Sequence, residues 1–342
     1  MSSPSSARPD LLREKKLDHL LAERLEQLPK GCAVAAVIVS DQGHEFRMFG
    51  EGVARNVIFE IGSVTKVFTA LLLADMVCRK EVALEQPVRE LLPAELQPAA
   101  REPQVTLLDL AIHHSGLPRL PRNLAPFWGT LPVRHSDNPF AYYGTDKLAK
   151  FLRRDGLVRP HEPEYLYSNV GYGLLGLALA HRLGVSYDEA VQQRICGPLG
   201  MPDTRIDLTY EQRCRFLPGH TPLGKPATVW HFKALAGAGA LHSTLNDMLR
   251  FLRAQIFPEG ELEAAIRLTH ERRTEAKAGS QALALGWHLH PDDSYWHNGA
   301  TGGFSSYICF HPGFARGVAV LCNAARSDIS DIVGVVLGQP PV

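Results

Sequence analysis

Short apolar runs rich in β-branched residues cluster at the two ends of the chain, and helical patterns fill the stretch between them. Near the N-terminus, CAVAAVIVS (32–40) reads as a buried strand. HEFRMFGEG (44–52) follows it after Asp41-Gln42-Gly43, a hairpin-type turn. Towards the C-terminus, ALALGWHLH, SYWHNG, FSSYICFHP and GVAVLCNAA read as further strands joined by Gly, Pro and Asp turns. This distribution predicts an α/β (α+β) fold: one antiparallel sheet built from the N- and C-terminal segments and flanked by helices, with a mainly helical lobe inserted between. At 342 residues the chain is long for a single core. The expected division is a disordered tail over 1–9, an α/β domain from 10–82 and 236–342, and a helical lobe over 83–235, together one catalytic unit.

The helices are placed by spacing and caps. Leucines 17, 20, 21, 25 and 28 share one helical face within 11–28. FEIGSVTKVFTALLLADMV (59–77) reads as a buried helix beginning at or near Ser63. TDKLAKFLRRD starts at a candidate Thr145 cap, and VGYGLLGLALAHRLG is a nearly all-apolar helix ended by Gly184. SYDEAVQQRI opens with the capping box Ser186-x-x-Glu189. STLNDMLRFLRAQ makes another amphipathic helix, and SDISDIVGVVLG (327–338) a closing one.

Charge and cysteine usage exclude several classes. Thirty-six basic residues balance thirty-six acidic ones with no long run of either sign, which argues against nucleic acid and polybasic membrane docking. The six cysteines are scattered, without a C-x-x-C pair or ligand-like spacing to histidine, so no metal or other cofactor is expected and the thiols read as reduced. No apolar signal segment and no stretch of membrane-spanning length are seen, and a cytoplasmic location is the expectation.

Three short segments carry chemistry. In GSVTK, Ser63 and Lys66 are three residues apart on one helix face, so Oγ and Nζ can meet. A helix N-terminus and apolar surroundings both disfavour an ammonium and push the lysine towards a proton acceptor. The same positive end favours an oxyanion, to which the Ser63 N–H can donate. Taken alone the pair fits better an N-cap serine and a lysine that snorkels to water. In YLYSNVGYG, Tyr167 and Asn169 can point into one cleft, with a packed tyrosine and an N-cap asparagine as the plainer reading. In WHNGATGGF, Gly299 permits close approach of a substrate backbone and the Ala300 N–H is a second candidate oxyanion donor; a glycine-rich hairpin turn explains the same glycines.

In this order and on this architecture the three segments resemble the serine β-lactamase and penicillin-binding superfamily, with its S-x-x-K motif. The closer resemblance is to the class C β-lactamase group with its DD-peptidases and family VIII esterases, which use Tyr-x-Asn, here Tyr167-Ser168-Asn169. It covers nearly the whole chain from about residue 30, with TLLDLAIHHSGLPRLP, GPLGMPDT and LAGAGALHSTLNDMLRFL as supporting stretches. The resemblance implies a class C β-lactamase-like fold and a hydrolase acylated on Ser63. Lys66 and Tyr167 are the implied proton-transfer pair, with the base left open between them. Asn169, His297 and Gly299 are implied substrate-binding residues, and the N–H groups of Ser63 and Ala300 the oxyanion hole.

The third motif departs from the Lys-Thr-Gly of most β-lactamases: here it is His297-Asn298-Gly299. A permanent cation and a hydroxyl are both replaced, which weakens anchoring of an anionic β-lactam and shifts weight towards hydrolysis of a small ester or amide. The competing expectations are an acyltransferase or peptide-cyclising enzyme, and a catalytically idle binding protein. His113 and His114 read as capping or packing residues, and Trp230-His231-Phe232 as either cleft wall or core. Oligomeric state is not legible.

Overall fold

The computed structural model describes residues 18–127, 138–276, 281–325 and 329. The tail over 1–9, the start of the first helix and, apart from Ile329, the closing helix expected over 327–338 lie outside the described residues.

Residues 18–27 form α1, followed by a hairpin of β1 (Ala33–Ser40) and β2 (Gly43–Gly50). A short strand β3 (Phe59–Glu60) leads into α2 (Thr65–Cys78). The middle of the chain is helical: α3 (Leu107–Ala111), α4 (Thr145–Asp155), α5 (Asn169–Leu183), α6 (Tyr187–Val191), α7 (Gly197–Leu199) and α8 (Tyr210–Cys214). Strand β4 (His242–Ser243) precedes α9 (Leu245–Ile256) and α10 (Glu263–His270). Five strands follow: β5 (Ala282–Leu283), β6 (His288–Leu289), β7 (Tyr295–Ala300), β8 (Ser305–His311) and β9 (Arg316–Cys322).

Seven strands form one antiparallel sheet in the order β2-β1-β9-β8-β7-β6-β5. The last strand thus returns to pair with the first, with Val37 opposite Ala319, and the two ends of the chain close one sheet. Strand β1 is apolar at nearly every position because both its faces are covered. Ala35, Val37 and Val39 enter the main core, whereas Val34 and Ala36 pack with Leu21 of α1 on the opposite side. The main core runs without a break from the sheet into the helices of the middle segment.

Helix α2 lies inside that core. Every residue from Thr65 to Met76 is buried, and the helix packs on α5 on one side and α10 on another. An all-round apolar sequence is what such a position requires.

Three local expectations are corrected. The single strand expected over ALALGWHLH is a hairpin of β5 and β6, turned at Gly286 (φ +76°). A side chain at Gly286 would also come within 2.6 Å of Ala70 Cβ on α2, so both conformation and space demand glycine. Thr145 is the first helical residue of α4 rather than its cap, a position held by Gly144 without a side-chain bond. The Ser186–Glu189 capping box forms, but α6 gives way after five residues to one wider π-helical turn over Gln192–Cys196. Ser63 lies in a 3₁₀ turn, Gly62–Val64, immediately ahead of α2.

Candidate active site

The approach to Ser63 is set by backbone pairing. Strand β3 pairs with β4, and the Ile61 N–H then donates to Leu241 O at 3.1 Å. Gly62 follows at φ +49°, where a Cβ would stand 2.8 Å from both N and O of Ala300. Glycine there lets the Ser63 turn sit directly against the end of β7. The contact is secured from the other side, because Ser306 Oγ donates to Ile61 O at 2.7 Å. A Cβ on Gly299 would overlap both Ile61 O and Ser306 Oγ. The close approach that glycine permits at 299 is therefore made by the protein's own Ile61 carbonyl.

Lys66 is fully buried on the first turn of α2. Its Nζ lies 3.1 Å from Ser63 Oγ, 2.8 Å from Asn169 Oδ1 and 2.6 Å from Ala238 O. It also stands 4.8 Å from the centre of the Tyr167 ring. Burial, and secondarily the positive charge of Arg119, hold its pKa well below the ordinary lysine value. The plainer alternative, a lysine reaching water, is incompatible with this burial.

The Tyr-x-Asn segment is placed by the start of α5. Ser168 is the N-cap: its Oγ accepts from the Gly171 N–H at 2.8 Å and donates to Pro118 O at 2.9 Å. Asn169 is thereby freed from capping and offers Oδ1 to Lys66, leaving its NH₂ group facing the cleft it lines. Burial raises the pKa of the Tyr167 hydroxyl well above the ordinary phenol value, outweighing the lowering effect of the Ser63 hydroxyl. The Tyr167 ring is held by His113, whose ring lies 4.5 Å away and whose Nδ1 accepts the Ser168 N–H at 3.1 Å. That bond requires an unprotonated Nδ1, and burial keeps His113 neutral. His113 takes up φ +59°, a conformation uncommon outside glycine.

His297 is placed differently from its expected substrate-binding position. Alternation along β7 turns Asn298 and Ala300 onto the cleft and His297 away from it, 1% exposed. Its Nδ1 pairs with Asn298 O at 2.7 Å, and its Nε2 meets no hydrogen-bond partner among the described residues. Burial, with His288 and Lys66 nearby, holds its pKa well below the usual imidazole value. No cation therefore stands at the third motif.

The cleft above Ser63 has a volume of about 1050 Å³. Phe140 and Phe232 stack 4.4 Å apart along one wall, and Trp230 meets Phe140 edge-on at 5.3 Å. Trp230 and Phe232 are thus cleft wall, one of the two readings of that stretch. Trp230 is anchored through its backbone N–H, which donates to Glu60 Oε1 at 2.6 Å. Burial raises the Glu60 carboxyl to about 7, against the lowering effect of its hydrogen bonds. Among the described residues, no group of three or more His, Cys, Asp or Glu is positioned to hold a metal ion.

A buried lysine against a serine, a tyrosine kept as a phenol beside it and a strand-end amide next to the same serine, all on a sheet closed by both chain ends, define the serine hydrolase class. The chain belongs to the beta-lactamase family, whose sequence profile matches residues 17–333. It is 25% identical over 311 residues to a beta-lactamase of Pseudomonas fluorescens, covering 79% of this chain and 80% of that protein. It is 26% identical over 347 residues to the D-alanyl-D-alanine-carboxypeptidase/endopeptidase AmpH of Escherichia coli K12, covering 90% and 86%. The fold is that of the class C beta-lactamases: one such solved structure superposes with a TM-score of 0.78 over 95% of each chain at 22% identity.

Several residues of the site are invisible to motif reading. Ala238 O, an acceptor for Lys66, lies in a run of small residues whose only sequence mark is LAGAGA. Arg119 and Glu60 sit beside motifs without belonging to their spacing pattern.

Proposed function

We propose that this protein hydrolyses a small ester or amide with a bulky apolar group, through an acyl-enzyme on Ser63. The observation that carries the reading is the set of contacts of Lys66 Nζ. Asn169 Oδ1 and Ala238 O can only accept, so a neutral amine donates to both and turns its one lone pair to Ser63 Oγ. Lys66 is on this reading the general base, which takes the Ser63 proton as Oγ attacks the substrate carbonyl. The oxyanion that forms is met by the N–H groups of Ser63 and Ala300. Tyr167, kept as a phenol by its raised pKa, gives its proton to the leaving group and recovers one from Lys66. Asn169 donates its NH₂ to the acyl side of the substrate, and water then releases the acyl group. His297 supports the Tyr167 side of the site from behind, and Gly299 keeps β7 against the serine turn.

The clustered rings of Phe140, Trp230 and Phe232 favour an apolar substituent. Free thiols at Cys32, Cys78, Cys196, Cys214 and Cys309 fit a reducing, cytoplasmic setting. Among the described residues, no helix is long and apolar enough to cross a membrane.

A fluorophosphonate probe followed by intact-mass measurement tests the nucleophile. One adduct is expected on the wild type and none on Ser63→Ala; labelling of the variant would refute the assignment. A panel of p-nitrophenyl esters, D-amino-acid amides and a chromogenic cephalosporin then ranks the substrate classes.

A further inference from the structure

We propose that Arg119 is the anion anchor of this cleft and that the substrate carries a carboxylate, an inference that rests on the acyl-enzyme reading above. Arg119 lies in the loop that follows α3, ahead of α4, and its carbonyl accepts the Asn169 N–H at 3.1 Å. That bond ties its backbone to the first residue of α5. Its guanidinium carbon stands 5.2 Å from the centre of the Tyr167 ring, the ring on which Lys66 also stands. Lys66 Nζ on that ring is 3.1 Å from Ser63 Oγ, and Arg119 and Ser63 line the same cleft, so an anion held on Arg119 lies within the span of one small molecule from the reacting serine.

Three observations direct that cation towards a ligand. Among the described residues lining the cleft, Arg119 is the one with a charged side chain. It is exposed, and no carboxylate among the described residues forms an ion pair with it. A guanidinium lying on an aromatic face keeps its hydrogen-bonding edge free for a planar partner. The position at which Lys-Thr-Gly enzymes carry their cation is here the buried, neutral His297, turned off the cleft. The positive charge has in effect moved from β7 to the loop after α3. One guanidinium without a second cation matches the single charge of a carboxylate; a phosphate dianion would keep one charge uncompensated.

The test compares mono-p-nitrophenyl glutarate with its neutral methyl ester on the full-length wild type, Arg119→Gln and Arg119→Lys. The wild type is expected to prefer the free acid by about tenfold or more in kcat/KM, mainly through KM. The ratio should fall to within about twofold of unity in Arg119→Gln and be partly kept in Arg119→Lys. Absence of preference in the wild type, or a preference that survives in Arg119→Gln, overturns the anchor. A second measurement needs no turnover: N-benzoylglycine and its neutral amide are titrated against the fluorescence of Trp230 and Trp296, which line the cleft. Tighter binding of the acid in the wild type alone supports the anchor, and equal binding refutes it. If no ester acylates Ser63, the hydrolase reading fails, and the titration decides the anion site by itself.

Discussion

Two buried titratable side chains flank Ser63, and they bias the protein in opposite directions with pH. Lys66 is held well below its ordinary pKa by burial. Between its folded and unfolded pKa values the unfolded chain binds the extra proton, so this group's contribution to stability rises with pH across that window. On the proposed mechanism its chemistry follows the same proton: acylation would need the neutral amine and should fall as pH drops through the folded pKa. Lys66→Met should slow fluorophosphonate labelling of Ser63 by roughly a thousandfold or more and erase that acid limb. A variant that labelled at wild-type rate would remove Lys66 from the mechanism. Glu60 behaves in the reverse sense, since burial raises its carboxyl to about 7. From the unfolded carboxyl value up to about 7, the folded state holds the extra proton, and stability falls as pH rises. Glu60→Gln keeps an acceptor for the Trp230 N–H but removes the ionisation. It should therefore be more stable than wild type at pH 8, by at most about 3 kcal/mol, and nearly equal at pH 5. Urea titrations at the two pH values measure this; an equal difference at both would show that Glu60 does not titrate in that window.

At the scale of elements, the site depends on how tightly β7 is drawn against the turn before α2. Gly299→Ala places a methyl group into Ile61 O and Ser306 Oγ, so strand and turn must separate. The expected cost is about 1–3 kcal/mol in stability and, because Ala300 moves with the strand, on the order of a hundredfold in acylation. Gly184→Ala is the matched control: Gly184 has φ +72° but open space around it, so about 1 kcal/mol should be lost with the labelling rate kept. Equal labelling rates in the two variants would sink the coupling between β7 and the serine. The same elements show what was legible in sequence. Ser63, Lys66, Tyr167 and Asn169 could be grouped because each sits at a helix start with short, patterned spacing. The plainer reading of Asn169 as the cap of α5 gives way to Ser168, since Ser and Asn compete for that position and only the fold decides. The β5–β6 hairpin was hidden because Gly286 and Trp287 interrupt a run whose composition is that of a strand throughout. His297 illustrates a third kind of limit: its motif position was readable, its direction was not, because period-two alternation cannot say which face of β7 meets the cleft.

For the whole molecule, the closure of both chain ends into one sheet, legible from strand-like runs at the two termini, makes the site a property of the entire chain. What sequence did not disclose is that one unbroken core joins the sheet to the helices of the middle segment, because that core is assembled from residues far apart in the chain. Its consequence is cooperativity: the helical segment shares its core with the sheet, although a second, smaller cluster lies on the other face of the sheet under α1. Asn323 provides a way to test this away from the cleft. Its Oδ1 accepts the Ala33 N–H at 2.6 Å, joining the end of β9 to the start of β1, and its Nδ2 donates to Pro218 O at 2.7 Å. It is fully buried, so Asn323→Leu leaves a buried donor and a buried acceptor without partners, at a cost of about 2–4 kcal/mol. If the molecule unfolds as one unit, far-ultraviolet circular dichroism and fluorophosphonate reactivity should lose their signals at one common midpoint in the wild type. In Asn323→Leu both midpoints should fall together. Reactivity lost well before the circular dichroism signal would mean that the serine, lysine and tyrosine can come apart while sheet and helices remain folded. The shared core would then not be what holds the site.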